Sequence, residues 1–287
     1  MKKVGVMGLG LMGSGIAEVS MLAGYATTVG EVDQALLQKG RSNIERSLAR
    51  AVERGKMTGE QRDHALALLR PTTDLALFQD CDIVIEAVTE NLAAKENVFR
   101  ALDKACKKEA LLASNTSSLS VTQLASCTQR PDRVIGTHFF NPVPVMKLVE
   151  VVRGIASSED SVAQAKSFCE SLGKVVVLAK DTPGFVVNRL LVPYLLDAIR
   201  EYERGLASAE DIDNGMVLGC NHPMGPLRLT DLVGLDTTYF IALSLYEEFG
   251  EPRFEPPPIL KRMVLAGWLG RKRGRGFYQY SDGNSQK

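Results

Sequence analysis

The stretch KVGVMGLGLMGSGIAEVSMLAG, residues 3–24, decides the fold. Residues 2–8 form a short apolar run that reads as a buried strand, and apolar residues at helical spacing follow over about 12–23. Between them Gly8-Leu9-Gly10-Leu11-Met12-Gly13 matches G-x-G-x-x-G, whose glycines permit a tight turn and let a pyrophosphate approach the N-terminus of the next helix. Alone, the pattern is weak. Here it follows a strand, opens a helix and is followed by an acid, Glu31, at the end of the next strand candidate, TTVGE (27–31). Glu31 suits the hydroxyls of an adenosine ribose and its charge opposes a 2′-phosphate, so NAD is expected in preference to NADP. The neighbouring Asp33 reads as a helix cap.

Beyond Glu31 a helical hairpin interrupts the alternation. Its first arm covers about Gln34 to Arg54, and its second starts from a capping box of Thr58 with Gln61 and runs through Leu69, where Pro71 ends it. Strand and helix then alternate: strands at 82–88, 110–115 and 133–140, with helices over 91–107 and 120–126 between them. Two further strands, 147–154 and 174–180, flank a helix over 159–172. Apolar strands alternating with helices predict an α/β, Rossmann-like, doubly wound and mainly parallel sheet. At Asp181-Thr182-Pro183-Gly184 the character changes. Pro183 suits an early helical position, a long apolar helix with an internal Pro193 follows, and strand alternation does not return. The expected division is a dinucleotide-binding domain over 1–182 and an all-helical domain over 183–287.

Lys+Arg and Asp+Glu each total 34, so no global field attracts nucleic acid or an anionic membrane, and any anion must be held locally. The basic arm bearing Arg41, Arg46, Ser47, Arg50, Arg54 and Lys56 is a candidate for that, against the alternative of a solvated charged face. No apolar stretch approaches the ~20 residues that span a bilayer, and a soluble, cytoplasmic protein is expected. Five scattered cysteines without a CxxC argue for reduced, packed thiols and against a disulfide framework or a zinc site.

The remaining polar signals are SNTSSL (114–119), THFFNPVP (137–144), KLVEVV (147–152) and DTPGFVVNR (181–189). They place hydroxyls, an imidazole, a carboxylate and an amide at strand ends or at the start of the long helix, and ligands of a doubly wound sheet bind at the carboxyl ends of its strands. Of the three histidines, His64 lies on a charged helical arm and His222 in a loop, whereas His138 ends an apolar strand.

These motifs, in this order and together with GLGLMG, IEAVTENLAAKE, HFFNPVPVMKLVE, PMGPLRLTDLVGLD and the closing GRKRGRGFYQY, resemble the 3-hydroxyacyl-CoA dehydrogenase family across almost the whole chain, in particular its short bacterial members of the 3-hydroxybutyryl-CoA type. The resemblance implies His138 as catalytic acid/base, Glu150 as its charged partner, and Ser117 and Asn188 as active-site donors. It implies cofactor contacts at Gly8 through Gly13 (Gly8, Leu9, Gly10, Leu11, Met12, Gly13), Glu31, Glu90, Lys95, Ser117, Asn141 and Lys272. Contacts to the acyl-CoA substrate fall on Ser47 and Arg54, with Ser117 and Asn188. At position 54 the family also uses lysine; arginine keeps the charge but changes the geometry. The family further implies a homodimer formed through the helical domain. The chemistry suits an imidazole, which titrates in the range where it can take the hydroxyl proton while a hydride leaves carbon 3. Two rivals are a dehydrogenase of the 3-hydroxyisobutyrate or 6-phosphogluconate type, which opens with a similar glycine loop but uses a catalytic lysine, and a non-catalytic dinucleotide-binding protein of the lens-crystallin kind.

Overall fold

A computed structural model describes residues 1–280; the last seven positions of the expected helical domain, 281–287, lie outside the described residues. The chain divides into two compact units, Met1–Phe185 and Val186–Lys287.

The first unit is built on one eight-stranded sheet: β1 (Lys3–Met7), β2 (Ala26–Gly30), β3 (Leu69–Thr72), β4 (Ile83–Glu86), β5 (Leu111–Ser114), β6 (Val134–Phe139), β7 (Leu148–Arg153) and β8 (Val175–Lys180). Their order is β3-β2-β1-β4-β5-β6-β7-β8, and every pair is parallel except β6 with β7. The order reverses direction at β1, between β2 and β4, which opens the crevice where a dinucleotide binds in such sheets. Around the sheet lie α1 (Leu11–Leu22), α2 (Gln34–Glu53), α3 (Gly59–Ala67), α4 (Leu92–Ala105), α5 (Val121–Ser126) and α6 (Glu159–Ser171).

Period-two alternation sorts the strand residues onto two cores. Ile83 and Ile85 join Val4, Val6, Ile16, Ile44 and Leu48 in one, whereas Val84 joins Phe78, Phe99, Leu102 and Leu124 in the other. The strands are therefore apolar on both faces, as parallel strands covered by helices must be. Helix α1 lies so close to the loop after β6 that a Cβ on Gly15 would sit 2.8 Å from Val143 Cβ.

The structure departs from the sequence reading in two places. β3 is absent from that reading because LRPT is short and contains Pro71. As an edge strand, β3 tolerates the missing N–H, and it takes over the chain at Leu69 where the second helical arm was expected to continue. Pro183 does not open the long helix: Gly184 and Phe185 have positive φ (75° and 45°), and α7 begins only at Val187 and runs to Glu203. The capping box of Thr58 with Gln61 and the Asp33 cap, accepting from the Leu36 amide at 2.8 Å, both form.

The second unit contains α7, α8 (Ala209–Cys220), α9 (Pro226–Val233), α10 (Leu235–Phe249) and α11 (Pro258–Leu265). Val192, Leu196 and Ile199, at i, i+4 and i+7 of α7, meet Leu227, Leu245, Phe254 and Leu260 in its core. Two buried carboxylates organise it. Asp213 accepts from the Leu227 and Arg228 amides at the start of α9 and from the Tyr278 hydroxyl. Asp231 accepts from the Phe277 and Tyr278 amides and from the Tyr280 hydroxyl. These bonds fasten the GRGFYQY segment to the bundle.

Candidate active site

At the turn from β1 into α1, a Cβ on Gly13 would lie 1.7 Å from the Gly8 carbonyl oxygen, so only glycine fits the helix against the loop. Gly10 is the extended N-cap of α1 and has no side chain to occupy the helix N-terminus, which leaves the positive end of the helix accessible to a diphosphate. Glu31 follows β2 directly, and its carboxylate accepts from the Leu9 amide at 2.6 Å and from its own neighbour Val32 at 3.1 Å. Close backbone approach, a helix N-terminus and a carboxylate beside the loop are the donor and acceptor set that an NAD pyrophosphate and ribose require.

On the other side of the crevice, Glu86 ends β4 and is fully buried. Its carboxylate accepts from Lys95 Nζ at 2.7 Å, from Ser114 Oγ at 2.7 Å and from the Val88 amide at 2.7 Å. Lys95, 1% exposed, also pairs with Glu90 at 3.2 Å. Glu90 Oε1 in turn gathers the Thr116 hydroxyl at 2.6 Å and the amides of Ser117 at 2.8 Å and Ser118 at 3.2 Å. Burial opposes the ionisation of Glu90, but Lys95 and these donors outweigh it and hold its carboxyl below the ordinary value. The Ser117 loop after β5 thus hangs on a chain of charges rooted in the core.

His138 and Glu150 face each other across the antiparallel β6–β7 pair, with Nδ1 2.7 Å from Glu150 Oε2. Glu150 is fully buried and His138 is 7% exposed. Phe140 and Phe185 pack against the imidazole, with ring centroids 4.5 Å and 5.6 Å away. Nδ1 can donate to a carboxylate at this distance, and a ring that carries its only proton there offers a lone pair at Nε2. Asn115 Oδ1 accepts from the Phe139 amide at 3.0 Å and ties the serine loop to the His138 strand.

The loop after His138, with a cis Asn141–Pro142 bond, is held by Lys174, whose Nζ donates to the Val143 and Met146 carbonyls at 2.5 Å and 2.8 Å. Burial lowers the pKa of Lys174 from the ordinary lysine value. Between this loop, α1 and the helical hairpin lies a cleft of about 620 Å³ that brings together Ser47, Arg54, Leu11 and Asn141. Asn188, on the first turn of α7, and Lys272 belong to the helical unit, where Lys272 pairs with Asp236 at 2.6 Å. Of the other histidines, His64 is exposed on α3 and His222 bonds the Tyr194 hydroxyl at 3.0 Å.

Sequence reasoning passed over Glu86, Asp181 as a cap and Lys174. Glu86 carried a signal, since an acid closing an otherwise apolar strand must find a partner in the core. Asp181 accepts from the Ser120 hydroxyl and from the Val121 and Thr122 amides, capping α5; the rest carried none that spacing reveals.

Two family models cover the chain: "3-hydroxyacyl-CoA dehydrogenase, NAD binding domain" over residues 3–182 and "3-hydroxyacyl-CoA dehydrogenase, C-terminal domain" over 184–280. The chain belongs to the 3-hydroxyacyl-CoA dehydrogenase family. It is 54% identical to a 3-hydroxybutyryl-CoA dehydrogenase of Mycobacterium tuberculosis over 97% of this chain and 98% of that one. The crystal structure of M. tuberculosis FadB2 superposes with a TM-score of 0.96 at 54% identity, covering 98% of this chain and 99% of that one. For the (S)-3-hydroxybutyryl-CoA dehydrogenase PaaH1 of Ralstonia eutropha the TM-score is 0.95 at 44% identity, with coverage of 98% and 100%. Membership of the 3-hydroxyacyl-CoA dehydrogenase family excludes the lysine-dependent rival and makes the chain an NAD-dependent dehydrogenase.

One prediction concerns the cofactor. A hydrogen bond to a charged group contributes ~1.5–3 kcal/mol, so Glu31→Ala should weaken NAD binding about 10- to 100-fold. The same change should narrow the preference over NADP, measured as the ratio of the two kcat/KM values. Wild-type enzyme using both cofactors equally would remove Glu31 from this role.

Proposed function

We propose that the chain oxidises the 3-hydroxyl of an (S)-3-hydroxyacyl-CoA with NAD, and runs the reverse reduction, with 3-hydroxybutyryl-CoA and acetoacetyl-CoA as its working pair. The observation that carries this reading is the buried His138–Glu150 pair at the carboxyl end of β6. NAD, when bound, supplies the hydride acceptor. His138 Nε2 takes the proton of the substrate hydroxyl, and Glu150 orients the ring through Nδ1 and stabilises the imidazolium that results, as the carboxylate does in the serine-hydrolase triad. In the reverse direction the same nitrogen returns the proton. Ser117, positioned by Glu90, donates to the reacting oxygen, and Asn188 donates to the thioester carbonyl. Asn141, Lys95, Glu90 and Lys272 are assigned to the cofactor, and Ser47 with Arg54 to the CoA moiety.

The unit over 1–182 is assigned to cofactor binding and the helical unit over 183–287 to substrate binding and dimerisation. A homodimer is supported by exposed apolar side chains on the helical unit, among them Leu232, Phe240 at 61% exposure and Leu243. Sedimentation should give twice the chain mass. A cytoplasmic location is supported by five unpaired thiols and by the absence, among the described residues, of a helix long and apolar enough to cross a membrane.

The deciding experiment is a kcat/KM series over 3-hydroxyacyl-CoA esters of increasing chain length with each nicotinamide cofactor. The four-carbon ester with NAD should stand highest. A maximum at long chains would replace the substrate, and no turnover of any ester would overturn the reading.

A further inference from the structure

At the carboxyl end of β4 the Glu86 carboxylate is fully buried, and donors from three separate parts of the chain converge on it. Lys95 Nζ, on α4, and the Val88 amide both reach Oε1 at 2.7 Å, and Ser114 Oγ, at the end of β5, reaches Oε2 at 2.7 Å. Each bond leads on to a wall of the cofactor crevice. Through Val88 the carboxylate meets the glycine loop: a Cβ on Gly8 would lie 2.8 Å from the Val88 nitrogen, and one on Gly13 would lie 1.7 Å from the Gly8 oxygen. Through Ser114 it meets the serine loop, because the same Oγ accepts from the Thr116 amide at 3.2 Å and Thr116 Oγ1 accepts from the Leu119 amide at 2.8 Å. Through Lys95 it reaches Glu90, 3.2 Å from the ammonium, which accepts from the Ser117 amide at 2.8 Å.

The chemistry of this junction calls for a carboxylate. All three neighbours present protons, so the central group has to accept on both oxygens and donate nothing, which an ionised carboxylate does. An amide in its place keeps one accepting oxygen and points an NH2 group at Ser114. The serine then has to turn its own proton away, and its oxygen is shared between the new donor and the Thr116 amide. Stability alone does not call for the arrangement, since a buried ion pair is often no more stabilising than apolar groups of the same volume. What apolar groups cannot supply is direction, because each of these bonds fixes the place of a backbone segment.

Resting on the acyl-CoA reading above, we propose that Glu86 is a positioning residue for the dehydrogenase reaction. It holds the glycine loop, which receives the cofactor, and the serine loop, which carries the donor to the reacting oxygen, at one fixed separation. Fully buried, it acts through Val88, Ser114 and Lys95. A displacement of about 1 Å in a reacting constellation can cost about 10²-fold in rate, so a group one bond behind the reacting atoms bears on turnover.

The test uses the whole protein, steady-state kinetics with acetoacetyl-CoA and NADH, and a separate calorimetric titration with NAD. Glu86→Gln keeps the size of the side chain and should lower kcat about tenfold, short of the ~10²–10³-fold that removing a transition-state donor outright costs. NAD should bind more weakly, whereas KM for the ester should hold, since Ser47 and Arg54 belong to the helical hairpin. The decisive readout is coupling. If Glu86 acts through the serine loop, its effect on kcat disappears once the Ser117 hydroxyl is gone, so Glu86→Gln/Ser117→Ala should turn over as Ser117→Ala does. A general loosening of the fold would lower kcat alike in both backgrounds. Ser114→Ala is a second arm: it leaves the Glu86–Lys95 ion pair in place, should also lower kcat, and carries the test if Glu86→Gln fails to fold. With a wild type that turns over the ester, three results each overturn this inference alone: unchanged kcat or NAD affinity in folded Glu86→Gln, normal kcat in Ser114→Ala, or full additivity with Ser117→Ala. A wild type that turns over no 3-hydroxyacyl-CoA ester overturns the acyl-CoA reading as well.

Discussion

Replacing His138 by Ala should lower kcat by about 10²–10⁴-fold, the usual contribution of a positioned general acid/base. NAD affinity should hardly change, since the glycine loop follows β1 and Glu31 follows β2, both separated from β6 in the sheet by β4 and β5. The size of the loss follows from how completely the ring is fixed: Glu150 holds Nδ1 at 2.7 Å, and Phe140 and Phe185 pack against the imidazole. Glu150→Gln keeps the shape of the contact and removes the charge, so it should also reduce kcat. Steady-state kinetics with an independent NAD titration checks both. A His138→Ala enzyme with near-normal kcat would defeat the mechanism and leave the cofactor assignment standing.

The largest loss of stability should come from Lys95→Ala. The ammonium is 1% exposed and the Glu86 carboxylate beneath it fully buried, so deletion leaves an anion in the core with only a hydroxyl and an amide for company. Breaking a buried pair in this way costs about 3–5 kcal/mol, whereas replacing both partners by neutral groups of similar volume can be neutral or stabilising. Urea unfolding should therefore show a large fall for Lys95→Ala and recovery in a Glu86→Gln/Lys95→Met double variant. An unchanged midpoint in Lys95→Ala would mean that water or a rearrangement reaches Glu86.

Periodicity and turn chemistry sufficed for most of the sheet. The β1–α1 turn, the Asp33 cap and the strands carrying His138 and Glu150 were readable because each rests on local rules: glycine where backbones touch, an acceptor side chain at a helix start, apolar runs where strands are covered on both faces. β3 was not readable, because an edge strand containing Pro71 violates local propensity and is held by its pairing with β2. The start of α7 was misplaced because a proline permits a helix start without requiring one, and the backbone at Gly184 and Phe185 decided otherwise. The pairing of His138 with Glu150 was legible only through family resemblance, since register across a hairpin with a long connection is not encoded at any fixed spacing. Lys174 was hidden for a related reason: whether a lysine is solvated or buried against backbone carbonyls depends on elements distant in sequence.

The tight approach of α1 to the loop after β6 also has a meaning for redesign. Gly15 and Val143 divide a single volume, so a methyl gained at one must be given up at the other, and chains that share this packing should exchange the two positions as a pair. A bulkier side chain placed at Val143 to reshape the cleft would press on the helix that opens at the glycine loop. Altered acyl-CoA preference obtained there would arrive together with altered cofactor affinity, unless the wall is rebuilt at Val145, which is 64% exposed and free of that shared space.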